Sequence, residues 1–499
     1  MNELTYDVVV VGSGAGGGTV ASELAALRAA GKSVVVFEKG MRIRDDAFTG
    51  TELDMAETLY EDGGGFLTKQ GTMTLAFGRA YGGSTVVYTG TSLVAPQRVI
   101  HDWNVPGLAW SDVAGRSAKY MEQNNVHLLE SDFINDNNRL FVEGARRAGY
   151  HPEQFPLNVK GCLGSSLCNL GCPNLAKQGT HRVQLPYAES HGVEVVTRAD
   201  VLRIEDHAVV VRVSDKAGND KGVAGEWEAG EYRIRAKMIV LAGGCIGSTA
   251  LLLRSGYKKH LPKLGHNFTC HPAHILVAEH DETISNDVGH PKSFYVDRAE
   301  QEGYVLETCM YFPFTTAKNL TGFGEQHSRM MRAYPRLQQI LVLACDKAVP
   351  QNFIAVDGSG RAVVHYEFTK DVIASLVRAT RASAKIFFAA GAMRVHAPTA
   401  NPHIIEAWEE DKIDRRISEE HFLEGTTTLS AAHLMGGCSM GSSAADSVTD
   451  SWGRVHGAPW LRVADASLFP DSLEINPYLT IMSLADRVAE AVKQDLRAS

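Results

Sequence analysis

The sequence predicts an α/β protein in which a parallel, helix-covered sheet is joined to a second unit of α+β character. Three observations predict it. The apolar run YDVVVV (6–11) ends in the glycine-rich turn VGSGAGGG. A helical pattern and a second apolar run, SVVVFE (33–38), follow within about thirty-five residues, which is the length of a βαβ unit. Between 276 and 424 the glycine fingerprints stop, and the pattern changes to mixed strands and helices with many aromatic residues and methionines.

Each element follows from its local pattern. A run apolar at every position, rather than at alternate ones, suits a strand covered on both faces. From Ala15 to Ala30, Val20, Leu24 and Leu27 recur at helical spacing, and Gly31 is a natural stop. The stretch 193–215 alternates in places like antiparallel strands. KMIVLAGG (237–244) is again a buried run closed by glycines, expected to rejoin the first sheet. LRVADASLFP (461–470) precedes Asn476, a candidate helix cap, and Pro477, suited to a first helical position. The helix that follows carries Ile481, Leu484, Val488 and Val492 on one stripe.

Composition bounds the function. The chain has 499 residues, a net charge of −9 and no cluster of Lys and Arg, which excludes a nucleic-acid surface. No apolar stretch reaches the ~18 residues of a membrane-spanning helix, and the first thirty residues lack a secretory pattern. These features predict a cytoplasmic protein, with peripheral membrane association or export beside a small partner subunit as open alternatives.

The turn places Gly12, Gly14 and Gly17 in dinucleotide-binding spacing, with Glu38 21 residues beyond Gly17. Glycines let backbone N–H groups reach a pyrophosphate, the helix N-terminus favours its charge, and the carboxylate can accept ribose hydroxyls. Taken alone, this says FAD or NAD.

Five further segments occur in a fixed order: GRAYGGSTVVYTG (78–90), GCIGSTALLLRSG (244–256), LGHNFTCHP (264–272), AAHLMGGCSMG (431–441) and INPYLTIMSLADRVAE (475–490). On these the chain resembles glucose-methanol-choline (GMC) oxidoreductases from end to end. The resemblance implies FAD as cofactor and a Rossmann-like FAD-binding domain assembled from 1–95, 185–275 and 425–499. It implies a connecting segment at 96–184 and, at 276–424, an α+β substrate domain on a mainly antiparallel sheet. Gly82, Gly83 and Ser84 are carried over as flavin contacts, with Val201, Asp465 and Pro477 as further cofactor-binding positions. Many members have Asn where this chain has Tyr88, so the contact that Asn makes is in doubt here.

The resemblance also carries over a catalytic pair, His433 in HLMGG and Asn476 in INPYLT. Alcohol oxidation needs a base for the hydroxyl proton and a group that aims the carbinol C–H at flavin N5; a histidine titrating near neutrality suits the first task. Asn476 would orient the alcohol oxygen, and the helix it precedes would set its positive end against the reduced flavin. The implied reaction oxidises an alcohol, with electrons passing to an acceptor other than NAD, an acceptor protein included. A lyase on the same scaffold, cleaving hydroxynitriles or decarboxylating fatty acids in light, is the alternative.

Cys162, Cys168 and Cys172 crowd together, with Pro173 following at once. Three close thiolates with a trailing Cys-Pro suit iron–sulfur ligation. The spacing is similar to that of FAD sugar dehydrogenases holding a 3Fe-4S cluster, although Leu175 stands where those usually have glycine. Zinc suits three cysteines less well, because its tetrahedral shell stays incomplete; plain buried thiols are the other reading. Phe294, Tyr295, Tyr304, Met310, Tyr311, Phe312, Phe314, Phe323, Met330 and Met331 are expected to be core for the most part, and any that line a pocket favour an apolar or aromatic alcohol.

Overall fold

Valine at four successive positions, Val8 to Val11, leaves no polar face to expose, and all four are buried at the end of β1 (Asn2–Val11). The computed structural model describes residues 2–214, 221–309, 312–399, 403–422 and 426–498. After β1 come α1 (Ala15–Leu24) and β2 (Val34–Phe37), parallel to β1 with Val8 opposite Val34. The expected helix is shorter than its pattern: α1 ends at Leu24, a one-turn helix takes Ala26–Ala29, and Gly31 turns the chain at φ +74°.

β3 (Glu194–Val196) adds in parallel to β2, while β4 (Ala199–Glu205) and β5 (Ala208–Val213) form an antiparallel hairpin. That hairpin lies on the first half of β6 (Gly230–Leu241), which runs parallel to β1 from Asn2 opposite Tyr232 to Val11 opposite Leu241. KMIVLAGG thus rejoins the first sheet. α2 (Gly244–Arg254) follows, and the C-terminal strand Ala458–Val463 closes the other side of β6 in parallel.

The second sheet is built on β7 (Ala273–Glu279), β8 (Phe294–Arg298), β9 (Tyr304–Thr308) and β10 (Leu337–Ala344), antiparallel in the order β8–β9–β10–β7. α3 (Lys370–Ala389) covers one face, sharing a core with Leu276, Leu306, Ile340 and Val342. β11 (Arg394–Ala397) and β12 (His403–Glu406) extend the sheet beyond β7. Alternation along the strands turns Tyr295, Val305 and Leu343 to the opposite face, away from α3. That face looks toward the start of α4 (Tyr478–Ala498). The short strand Leu429–Ala431 joins this sheet at Ala273 and runs directly into His433. No helix among the described residues is long and apolar enough to cross a membrane.

Candidate active site

The three fingerprint glycines have different physical reasons. Gly12 sits at φ +98°, and a Cβ there would lie 2.3 Å from the Ala242 carbonyl oxygen. A Cβ at Gly17 would lie 1.9 Å from the Gly12 carbonyl oxygen, so this glycine lets α1 press against the turn. Gly14 is unlike both: the nearest atom to its Cβ position is the Gly83 Cα, 3.8 Å away. Open space at the helix N-terminus, walled by a second glycine turn, is where a pyrophosphate can meet bare backbone.

Ser13 ties the two turns together. Its N–H and hydroxyl donate to Glu38 Oε2 at 3.0 and 2.6 Å, and its oxygen accepts from the Gly82 N–H at 2.9 Å. Glu38 Oε1 accepts from the Gly40 N–H at 2.7 Å, and burial pushes this carboxyl above its usual range. Gly82, at φ +101°, and Gly83 are buried, whereas Ser84 is exposed and accepts from the Gly78 N–H at 2.9 Å. Val201 is core, its carbonyl accepting from Arg254 at 2.6 Å. Asp465 anchors α2: Oδ2 accepts from the Gly244 N–H at 3.0 Å and the Ser248 hydroxyl at 2.5 Å, while Oδ1 takes two bonds from Ser467. Pro477 immediately precedes α4, and its carbonyl accepts from the Ile481 N–H.

The surroundings fit FAD. Beside the glycine cradle, Asn158 Oδ1, Gln184 Oε1 and Thr480 Oγ1 are buried polar atoms without a protein partner, a state that calls for a bound group or water. Tyr88 explains its own presence. Its hydroxyl accepts from the Asn158 amide, and its ring packs on Tyr478 at 4.9 Å. Asn158 also bonds the Tyr478 hydroxyl at 3.2 Å, so a carboxamide from a different segment reaches this region.

His433 and Asn476 meet. The Asn476 amide Nδ2 lies 3.2 Å from His433 Nε2, and both line one cavity of about 320 Å³. The amide nitrogen of Asn476 is thus turned to the imidazole. On the far side of the ring, His433 Nδ1 lies 2.9 Å from Nδ1 of His271, whose Nε2 is 3.2 Å from the Ser472 hydroxyl. Burial, then the neighbouring His271 and Lys292, hold His433 well below its ordinary range. Burial and Lys292 bring His271 down to about 4, so both rings are neutral at pH 7. His271 and Ser472 escaped sequence reasoning, although the LGHNFTCHP segment held the signal for the first.

The cavity lining is mixed. Leu93, Val305, Leu343 and Ile475 contribute apolar surface, and Asp297, Glu307 and Glu474 contribute carboxylates, with Asp297 directly across from Val305 in the sheet. The carboxylates are engaged: Glu307 pairs with buried Lys292, Glu474 with Arg98 and Lys347, and Asp297 accepts from the Ala299 N–H at 2.8 Å. Of the aromatic and methionine residues singled out in the sequence, Tyr295 lines the cavity. Tyr304, Phe312 and Met330 are core, Phe314 and Phe323 are exposed, and Met310 and Tyr311 lie outside the described residues.

The iron–sulfur expectation gains no support from the structure. Among the described residues, no group of three or more His, Cys, Asp and Glu side chains is placed to hold a metal ion. Cys162 is half-buried and accepts from the Gly164 N–H at 3.4 Å; Cys168 and Cys172 are buried, and burial pushes the Cys168 thiol up to about 12. What organises the loop is an ammonium. Buried Lys177 donates to the carbonyls of Val86, Tyr88 and Cys168 at 2.6, 2.8 and 2.5 Å.

Two family models, each described as GMC oxidoreductase, match residues 56–273 and 353–485. An uncharacterized GMC-type oxidoreductase of Mycobacterium tuberculosis, Rv0492c, is 33% identical over 97% of this chain and 75% of its own length. The chain belongs to the GMC oxidoreductase family. Another relative, the long-chain-alcohol oxidase FAO4B of Arabidopsis thaliana, is 26% identical over 98% of this chain and 68% of its own. Among solved structures, pyridoxine 4-oxidase from Mesorbium loti superposes with a TM-score of 0.71 at 16% identity, covering 98% of this chain and 99% of that one. As a GMC oxidoreductase, this protein is an FAD-dependent enzyme acting on CH–OH donors.

Proposed function

We propose that this GMC oxidoreductase oxidises an alcohol with an apolar or aromatic body to its aldehyde or ketone. The observation that carries the reading is the 3.2 Å approach of Asn476 to His433 on the wall of one cavity. When bound, FAD supplies the hydride acceptor at its N5. The protein's own groups do the rest. An alcohol oxygen entering between the two side chains replaces their one contact with two bonds, donating its proton to His433 Nε2 and accepting from Asn476 Nδ2. Because the surrounding protein keeps His433 neutral, its lone pair is available at pH 7 and well below. The apolar part of the lining, Leu93, Val305, Leu343 and Ile475, takes the carbon chain. Electrons then pass to a quinone, a cytochrome or oxygen, since the Gly12–Gly17 fingerprint is taken by FAD.

Anaerobic mixing of the holoenzyme with a series of primary and secondary alcohols tests this. Bleaching of the flavin is expected for part of the series, with His433→Ala retaining FAD but reduced ~10²- to 10⁴-fold more slowly. A flavin that no alcohol bleaches refutes the reading. If cyanohydrins or illuminated fatty acids are then turned over, the scaffold is working as a lyase.

A further inference from the structure

We propose that His271 is a positioning residue that fixes the tautomer of His433 and so keeps the Nε2 lone pair aimed at the alcohol. The inference rests on the alcohol-oxidation reading for its purpose, while its geometry stands independently.

Hydrogen-bond polarity is passed along four side chains. An amide nitrogen can only donate, so the Asn476 Nδ2 contact at 3.2 Å requires His433 Nε2 to be the acceptor. A neutral imidazole with its lone pair on Nε2 carries its proton on Nδ1. That proton points at His271 Nδ1, 2.9 Å away, which must accept. The proton of His271 is then on Nε2, 3.2 Å from the Ser472 hydroxyl, which can accept it. The two rings stand at 88° to one another, an edge-on arrangement that aims the in-plane N–H of one at a nitrogen of the other.

Two features hold His271 in the accepting role. The ring is buried, with 3% of its surface exposed, beside the Lys292 ammonium, and both disfavour a second proton on it. Lys292 is in turn held by its pair with Glu307. When His433 accepts the alcohol proton, its Nδ1–H still donates to His271, and the imidazolium gains a partner without any neighbour having to ionise. In the opposite tautomer the Nε2 proton would face the alcohol and the base would be lost. The carboxylate that orients an imidazole base in a catalytic triad has here a neutral counterpart.

Two substitutions and one spectrum test the assignment. His271→Asn places an acceptor oxygen close to the lost Nδ1, whereas His271→Leu supplies none. In anaerobic stopped-flow with saturating alcohol, His271→Leu is expected to reduce its flavin at least ~10-fold more slowly, within the span of a general base. Its KM should stay within about threefold, since the loss lies in the reacting step and not in ground-state binding. His271→Asn is expected to recover most of that rate. In ¹⁵N spectra of the histidine-labelled holoenzyme, His433 should carry its proton on Nδ1 and His271 on Nε2. Either histidine with the proton on its other nitrogen overturns the assignment, as does a His271→Leu rate less than tenfold below wild type. Leu and Asn variants that are equally slow also overturn it, because they indicate packing alone. A wild-type flavin that no alcohol bleaches defeats the oxidation reading, and the tautomer spectrum still decides this one.

Discussion

Gly14→Ala and Gly17→Ala are one methyl each, three residues apart, and the structure separates their consequences. At Gly17 the new Cβ would lie 1.9 Å from the Gly12 carbonyl oxygen and 3.2 Å from the Ala242 side chain. Backbone must move, and overpacking of this kind costs ~1–3 kcal/mol or more. At Gly14 the backbone angles of −64° and −159° suit alanine, and the nearest protein atom is 3.8 Å off. The chain therefore tolerates the change, and loss of glycine's unfolded-state freedom should leave it unchanged or up to ~1 kcal/mol more stable. The same methyl fills the space through which a pyrophosphate reaches the N–H groups of α1. Loss of one charge-assisted hydrogen bond is worth ~1.5–3 kcal/mol, or roughly 10- to 150-fold in FAD affinity. Flavin-stripped protein of each variant should be compared by denaturant unfolding and then titrated with FAD by fluorescence. Expected is a stable Gly14→Ala protein with weakened FAD binding, and a destabilised Gly17→Ala protein. Wild-type FAD affinity in Gly14→Ala, or equal destabilisation of the two, would refute the division of roles.

Three further outcomes are expected. Lys177→Met should destabilise the protein by at least ~3 kcal/mol and quicken FAD release, because three buried carbonyls lose their shared donor and two of them lie just beyond the Gly82–Gly83 turn; denaturation and flavin-release rates check it. Acidification between pH 6.5 and 4.5 should lower the unfolding midpoint. His271 and His290, near 4, and His274, near 3, stay neutral when folded but take protons when unfolded, so stability present above 6.5 is lost as pH falls; a flat midpoint across that window contradicts the burial of these rings. Anaerobically purified holoenzyme should contain FAD but no stoichiometric iron or acid-labile sulfide, and one cluster per flavin would show that the cysteine loop rearranges around metal.

Much of this protein was readable because its signals are local. Val8 to Val11, the glycine turn and Glu38 lie within one βαβ unit, where residue spacing maps directly onto three-dimensional placement. The family segments carried His433 and Asn476 by position, although the reason they meet is not local: their distance depends on where Leu429–Ala431 and the start of α4 are held. Asn476 and Pro477 show the limit at small scale, since helix-cap chemistry and contact with an imidazole demand the same residue type in sequence.

The sequence by itself determined the first sheet, its glycine turn and the family. Tertiary structure alone decided that His271, 162 residues before His433, is its hydrogen-bond partner, and that Tyr295 meets the cavity while Phe314 and Phe323 meet solvent. It also decided that a buried ammonium, Lys177, ties the Cys168 carbonyl to those of Val86 and Tyr88. Spacing along a chain constrains backbone geometry over a few residues. Convergence of side chains, their burial and hence their protonation are set by which distant segments the packed core brings together.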